Sequence, residues 1–150
     1  MNIIVLTPVR LLGDGLTACF ERQRDIAVLA IVNDLEGVRS SLAGHRADLV
    51  LIDVTHGIDL YDVRSIAAQW PDVALVALGL HEQRQEVIRC GRAGFTGYVA
   101  RDASLDGLCK ALCDVVEGRD GAVPDGVLNF AFANTFDLHV VVQYLRFAET

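Results

Sequence analysis

Residues 47–57 read Ala-Asp-Leu-Val-Leu-Ile-Asp-Val-Thr-His-Gly, a short apolar run closed by one carboxylate, Asp53. A strand with one wet face alternates polar and apolar residues. A run that is apolar at every position must be covered on both faces. Coverage on both faces means a sheet between two layers of helices, and such sheets gather ligands and chemistry at the carboxyl ends of their strands. Asp53 stands at that end, so it is the first candidate functional residue.

The rest of the chain supplies the layers. Residues 2–6 and 26–32 are apolar runs, and between them Val9, Leu12, Leu16, Cys19 and Phe20 recur at helical spacing. Leu35, Val38 and Leu42 mark a second helix behind a cap at Asn33 or Asp34. Leu60, Val63, Ile66, Ala67 and Trp70 mark a third, stopped by Pro71. Residues 73–78 form a fourth strand, 82–92 a fourth helix ended by Gly91 and Gly94, and 97–100 a fifth strand. Ser104 caps a fifth helix whose stripe is Leu105, Leu108, Cys109, Leu112, Cys113 and Val116. Five strands alternating with five helices predict an α/β fold: a five-stranded parallel sheet, doubly wound as (βα)5, with right-handed crossovers.

The chain of 150 residues divides into 1–119, which carries this pattern, and 120–150, an apolar C-terminal tail. Four of the six phenylalanines, Phe130, Phe132, Phe136 and Phe147, lie in that tail and require burial. Pro124 is compatible with the first turn of a short helix there. Leu138, Val141, Val142 and Leu145 fit a helix, while Val140 to Val142 fit a strand, and both readings stand.

Charge and composition exclude several functions. A net charge of −7 argues against DNA binding by this chain alone, since such affinity rests on neutralising phosphates with lysine and arginine. The tail carries no recognisable helix-turn-helix; after Arg119 its only cation is Arg146. No apolar stretch approaches the roughly 20 residues of a membrane span. The start lacks a basic leader and reads as a first strand, so a cytoplasmic location is expected. The four cysteines show no zinc-ligand spacing and read as small apolar thiols in a reducing compartment. No cofactor or metal is expected.

With the order of elements, the LLGDGL turn of the first helix and GYVARDAS at 97–104, residues 2–119 resemble the receiver domains of two-component response regulators, which have a flavodoxin-like fold. The chain is most similar to the subfamily that usually carries a C-terminal helix-turn-helix, and AVPDGV at 122–127 is similar to its linker. The resemblance makes Asp53 the phosphoacceptor equivalent. It puts Thr7 and Pro8 where the family has two acidic Mg²⁺ ligands, Gly79 at the switch hydroxyl, Arg101 at the invariant lysine and Tyr98 at the switch aromatic.

Apart from the retained aromatic Tyr98, one of the five signature positions is therefore kept, one altered and three lost, as in a pseudo-receiver. Mg²⁺ needs near-octahedral oxygen ligation, and Asp53 with a carbonyl and waters makes a weak site. Arg101 is not equivalent to a lysine at a tight charged position. It is the expected ion partner of Asp53, with a gross attraction of order 4 kcal/mol at about 4 Å that desolvation largely offsets. The resemblance also implies a homodimer or partner-protein interface on the face of the fourth helix, fifth strand and fifth helix, including Arg89, Cys90, Tyr98 and Leu108. His56 and His81 read as solvated histidines; His45 and His139 receive no role.

The expected function is an atypical, non-enzymatic signalling module, independent of phosphorylation, working through protein contacts or dimerisation in signal transduction or transcriptional control. A genuine phosphoacceptor receiver using Asp53 is the alternative. A flavodoxin-like small-ligand binder at the same strand edge is a second, although TPVRLLG after the first strand is no phosphate loop.

Overall fold

The computed structural model describes residues 1–101, Ser104, Leu108 and the backbone of 127–129. Its parallel strands are β1 (Asn2–Leu6), β2 (Ala27–Val32), β3 (Leu49–Asp53), β4 (Ala74–Leu80) and β5 (Gly97–Ala100). Between them run α1 (Arg10–Glu21), α2 (Leu35–Gly44), α3 (Leu60–Gln69) and α4 (Arg84–Ala93). The strand order is β2-β1-β3-β4-β5-β6, where β6 (Val127–Asn129) pairs antiparallel with β5. The α/β fold expected from the sequence is therefore present. The short antiparallel strand was not expected, because three residues carry too little alternation to announce themselves.

Both faces of the sheet are covered, as the apolar run of β3 requires. Ile4, Leu6, Val50, Ile52, Leu75, Ala77 and Tyr98 pack with Val38 and Leu42 of α2, Val63 and Ile66 of α3, and Val87 and Cys90 of α4. On the opposite face Ile3, Val5, Leu49, Leu51, Val76 and Val99 meet Leu16 and Phe20 of α1, together with Leu108. Successive strand residues thus feed opposite cores, the period of two expected of pleated backbone.

The helix ends follow local chemistry. Asp34 caps α2 by accepting the Gly37 amide at 2.8 Å, and Asp59 caps α3 by accepting the amides of Tyr61 at 3.0 Å and Asp62 at 3.4 Å. Gly94 closes α4 in a left-handed conformation (φ 108°). The fifth helix expected from Ser104 onward lies outside the described residues except for Leu108. That residue is helical, and its amide donates to the Ser104 carbonyl at 2.9 Å.

Two expectations need correction. β4 runs two residues past the expected end, because Gly79, with φ 78°, makes a bulge that lets pairing with β5 resume at Leu80. Cys90 is a free buried thiol, but Cys19 is disulfide-bonded; Cys109 and Cys113 lie outside the described residues. Spacing along the chain does not reveal such a pairing, since packing decides which Cβ atoms come within bridging distance. Among the described residues no helix is long and apolar enough to cross a membrane.

Candidate functional site at the carboxyl edge of the sheet

In a sheet of order 2-1-3-4-5 the connections leave β1 and β3 toward opposite sides, which opens a crevice at their carboxyl ends. Leu6 pairs with Ile52, so the next residues, Thr7 and Asp53, flank that crevice. Both are 2% exposed, the two buried polar side chains of the described core. A buried carboxyl needs donors.

Three donors reach it. The Thr7 hydroxyl donates to Oδ2 of Asp53 at 2.8 Å. The same Thr7 oxygen accepts the Val9 amide at 3.1 Å, which leaves its proton for the carboxyl. The other oxygen, Oδ1, accepts the Thr55 amide at 2.9 Å and the Thr55 hydroxyl at 2.5 Å. An aspartate bonded to the amide two residues on is a local turn that its own sequence favours. Thr55 itself is exposed and so covers the carboxyl from the solvent side.

This arrangement replaces the expected ion pair. Arg101 is exposed, its backbone amide donates to the Leu80 carbonyl at 3.1 Å, and its guanidinium makes no ion pair with Asp53. Among the described residues the ion pairs are Arg39 with Asp62, Arg39 with Glu36 and Arg89 with Glu86. The reason is that hydroxyl and amide donors already serve both Asp53 oxygens. Bringing a guanidinium in would cost its hydration for little added bonding.

Gly79 holds its place for two reasons. Its φ of 78° lies where side chains are strained, and a Cβ there would stand 2.5 Å from the Thr55 methyl. Position 79 therefore carries no hydroxyl, while position 55 supplies one to the same carboxyl. Thr55 was missed from the sequence. The signal available was the Asp-x-Thr spacing, which allows both a backbone and a side-chain bond to the aspartate.

The donor set does not suit a hexacoordinate oxygen-bound cation. Thr7 turns its proton toward Asp53, Pro8 is exposed and has no polar side chain, and both Asp53 oxygens already accept hydrogen bonds. The described residues contain no group of three histidine, cysteine or acidic side chains placed to hold a metal.

Of the residues expected at an interface, only Arg89 faces solvent, its side chain 65% exposed. Cys90, Tyr98 and Leu108 are core residues, 3%, 1% and 3% exposed. Their apolar character reflects packing beneath the surface, and at these three positions the surface assignment is corrected. Burial, reinforced by the negative charge of Glu86 and opposed by Arg89, pushes the Cys90 thiol up to about 11. His56, His81 and His45 are exposed, and His139 lies outside the described residues.

Beside Asp53, without including it, a cavity of about 380 Å³ opens between the β3–α3 loop, the ends of β4 and β5, and α4. Val54, Ile58, Leu60 and Leu80 give it apolar walls.

No protein-family profile matches the chain. It is 21% identical over 122 residues to the transcriptional regulatory protein DegU of Brevibacillus brevis, covering 79% of this chain and 51% of that one. The chain thus spans about half the length of this curated relative. Among solved structures it is similar to the isolated REC domain of RcsB from Salmonella enterica serovar Typhimurium with phosphomimetic BeF3⁻. The TM-score is 0.69 at 17% identity, covering 79% of this chain and 89% of that one. It is also similar to a two-component response regulator of the LuxR family from Aurantimonas sp. SI85-9A1, with TM-score 0.70 and 21% identity over 83% and 90% of the two chains. The resemblance to response-regulator receiver domains therefore holds at the level of fold.

Proposed function

We propose that the chain is a receiver-fold signalling module that works without phosphoryl transfer to Asp53, as part of a larger regulator. The observation carrying this reading is that both Asp53 oxygens are held by Thr7 and Thr55. Acyl-phosphate formation demands a free carboxylate oxygen, a metal to neutralise charge and cations placed around the incoming phosphoryl group. Here the carboxylate is engaged, the acidic companions are Thr7 and Pro8, and Arg101 stands exposed away from it. Asp53 serves instead as the centre of a hydrogen-bonded lock that ties the end of β1 to the β3–α3 loop.

A module of this kind signals through contacts and not by catalysis. The names of its relatives, a transcriptional regulatory protein and an RcsB bound to promoter DNA, support a role in transcriptional control. The chain's net charge of −7 favours a protein surface over DNA as its own partner. Exposed Arg84, Arg89 and Arg92 on α4 make that helix the candidate contact face for a partner or a second copy.

The test is intact mass after incubation with acetyl phosphate and Mg²⁺, beside Asp53→Asn. The expected result is an unmodified wild-type chain. A phosphoryl gain that hydroxylamine removes and Asp53→Asn abolishes would establish the phosphoacceptor reading instead.

A further inference from the structure

The cavity beside Asp53 is built unlike the lock. At about 380 Å³ it falls in the range of small-molecule sites, which combine apolar walls with a few polar groups. Val54, Ile58, Leu60 and Leu80 supply the walls. Arg89 and Arg101 supply cationic groups; Arg89 is partnered at 3.5 Å by Glu86, which lines the cavity as well, together with His81 and Gln83, while Arg101 is in no ion pair among the described residues. Gly57 and Gly79 also line it; a side chain at Gly57 would meet nothing within 4 Å, and Gly79 has none to narrow the space. The cavity opens at the carboxyl end of parallel strands, where a doubly wound sheet receives ligands.

We propose that this cavity binds a small organic anion, with its apolar body against Val54, Ile58 and Leu80 and its charge on Arg101 and Arg89. The apolar walls disfavour a bare inorganic ion, whose hydration they cannot replace. The guanidinium groups suit a carboxylate, sulfonate or phosphate, which they bind in a bidentate fork. Binding stands on the cavity alone. That occupancy carries a signal to α4, in place of a phosphoryl group, rests on the reading above.

The probe is anilinonaphthalene sulfonate, an aromatic anion whose fluorescence reports an apolar surrounding, titrated into the full chain. The expected result is saturable one-to-one binding that the Arg89→Gln/Arg101→Gln double variant weakens at least about tenfold, as loss of charge-assisted bonds implies. Arg92→Gln, on the same helix but outside the cavity lining, should bind as wild type. Benzoate should displace the dye at concentrations where inorganic phosphate does not. Absence of saturation, an unaffected double variant, an equal loss in Arg92→Gln or displacement by phosphate alone would each overturn the proposal. Labelling of Asp53 by acetyl phosphate would sink only the signalling reading, and the dye titration would stand.

Discussion

Asp53 and the cavity next to it share one edge of the sheet and treat charge in opposite ways. At Asp53 the carboxyl is 2% exposed, and three donors from Thr7 and Thr55 meet its two oxygens. At the end of β5, Arg101 is exposed and enters no ion pair among the described residues. A buried charge is tolerated only with its partners in place, whereas a solvated one needs none. The closed region therefore reads as structure, and the open one as a place where something from solution can bind. The same glycine touches both, since Gly79 makes room for the Thr55 methyl and also lines the cavity.

The largest expected effect lies in the closed region. Thr7→Val with Thr55→Val strips both hydroxyl donors and leaves the Asp53 carboxyl buried with one amide. Each lost hydrogen bond to a charged group costs roughly 1.5–3 kcal/mol, read as a fall in the urea midpoint. Adding Asp53→Asn should recover part of that loss, because a neutral amide is less costly to bury. If the double variant is as stable as wild type, the threonines are bystanders and the contrast between the two regions fails.

Next comes the glycine that joins them. Gly79→Ala forces a side chain into a left-handed backbone and against the Thr55 methyl, for a cost of about 1–3 kcal/mol. Thr55→Ser keeps the hydroxyl and removes the methyl, so in that background the penalty should shrink by about 1 kcal/mol. A double-mutant cycle by urea unfolding measures this coupling. Strict additivity would mean that only the backbone dictates Gly79.

On the cavity wall, burial holds the Cys90 thiol at about 11, above its ordinary 9.0. The unfolded chain then loses the thiol proton at lower pH than the folded one. The contribution of Cys90 to stability is therefore complete below about pH 9 and is lost as pH rises through about 11. Unfolding midpoints measured across that window should decline more steeply for wild type than for Cys90→Ala. Parallel declines would show that the cavity wall is wet at Cys90.

What the sequence disclosed, and what it withheld, follows the same divide. The run from Leu49 to Ile52 was legible as a strand covered on both faces, because burial on both sides leaves no polar residue in the pattern. The position of Asp53 followed from it. The partner of Asp53 did not, since the bare need for a partner favours the nearest cation by charge, and Arg101 met that description. The hydroxyls that fill the role come from a residue just past β1 and from a loop residue two positions on, and only the register of β1 on β3 brings them together. The resemblance placed Cys90, Tyr98 and Leu108 on one interface face, whereas their burial, in the two cores on opposite faces of the sheet, depends on which helices cover β4 and β5. β6 has only three residues, fewer than periodicity can register.

Arg101 itself distinguishes a counter-ion from a ligand contact. Were Arg101 the counter-ion of Asp53, Arg101→Ala would strand a buried carboxylate and destabilise the fold by the 3–5 kcal/mol that breaking a buried ion pair costs, roughly. With Thr7 and Thr55 in that role, the guanidinium is a solvated group, and exposed charges of this kind contribute little to stability. Arg101→Ala should leave the urea midpoint at the wild-type value while weakening dye binding in the neighbouring cavity. A clear drop in the midpoint would mean that Arg101 reaches Asp53 in solution, and the two regions would then be a single charged site. An unchanged midpoint with weakened binding would separate a group that holds the fold from one that serves a ligand.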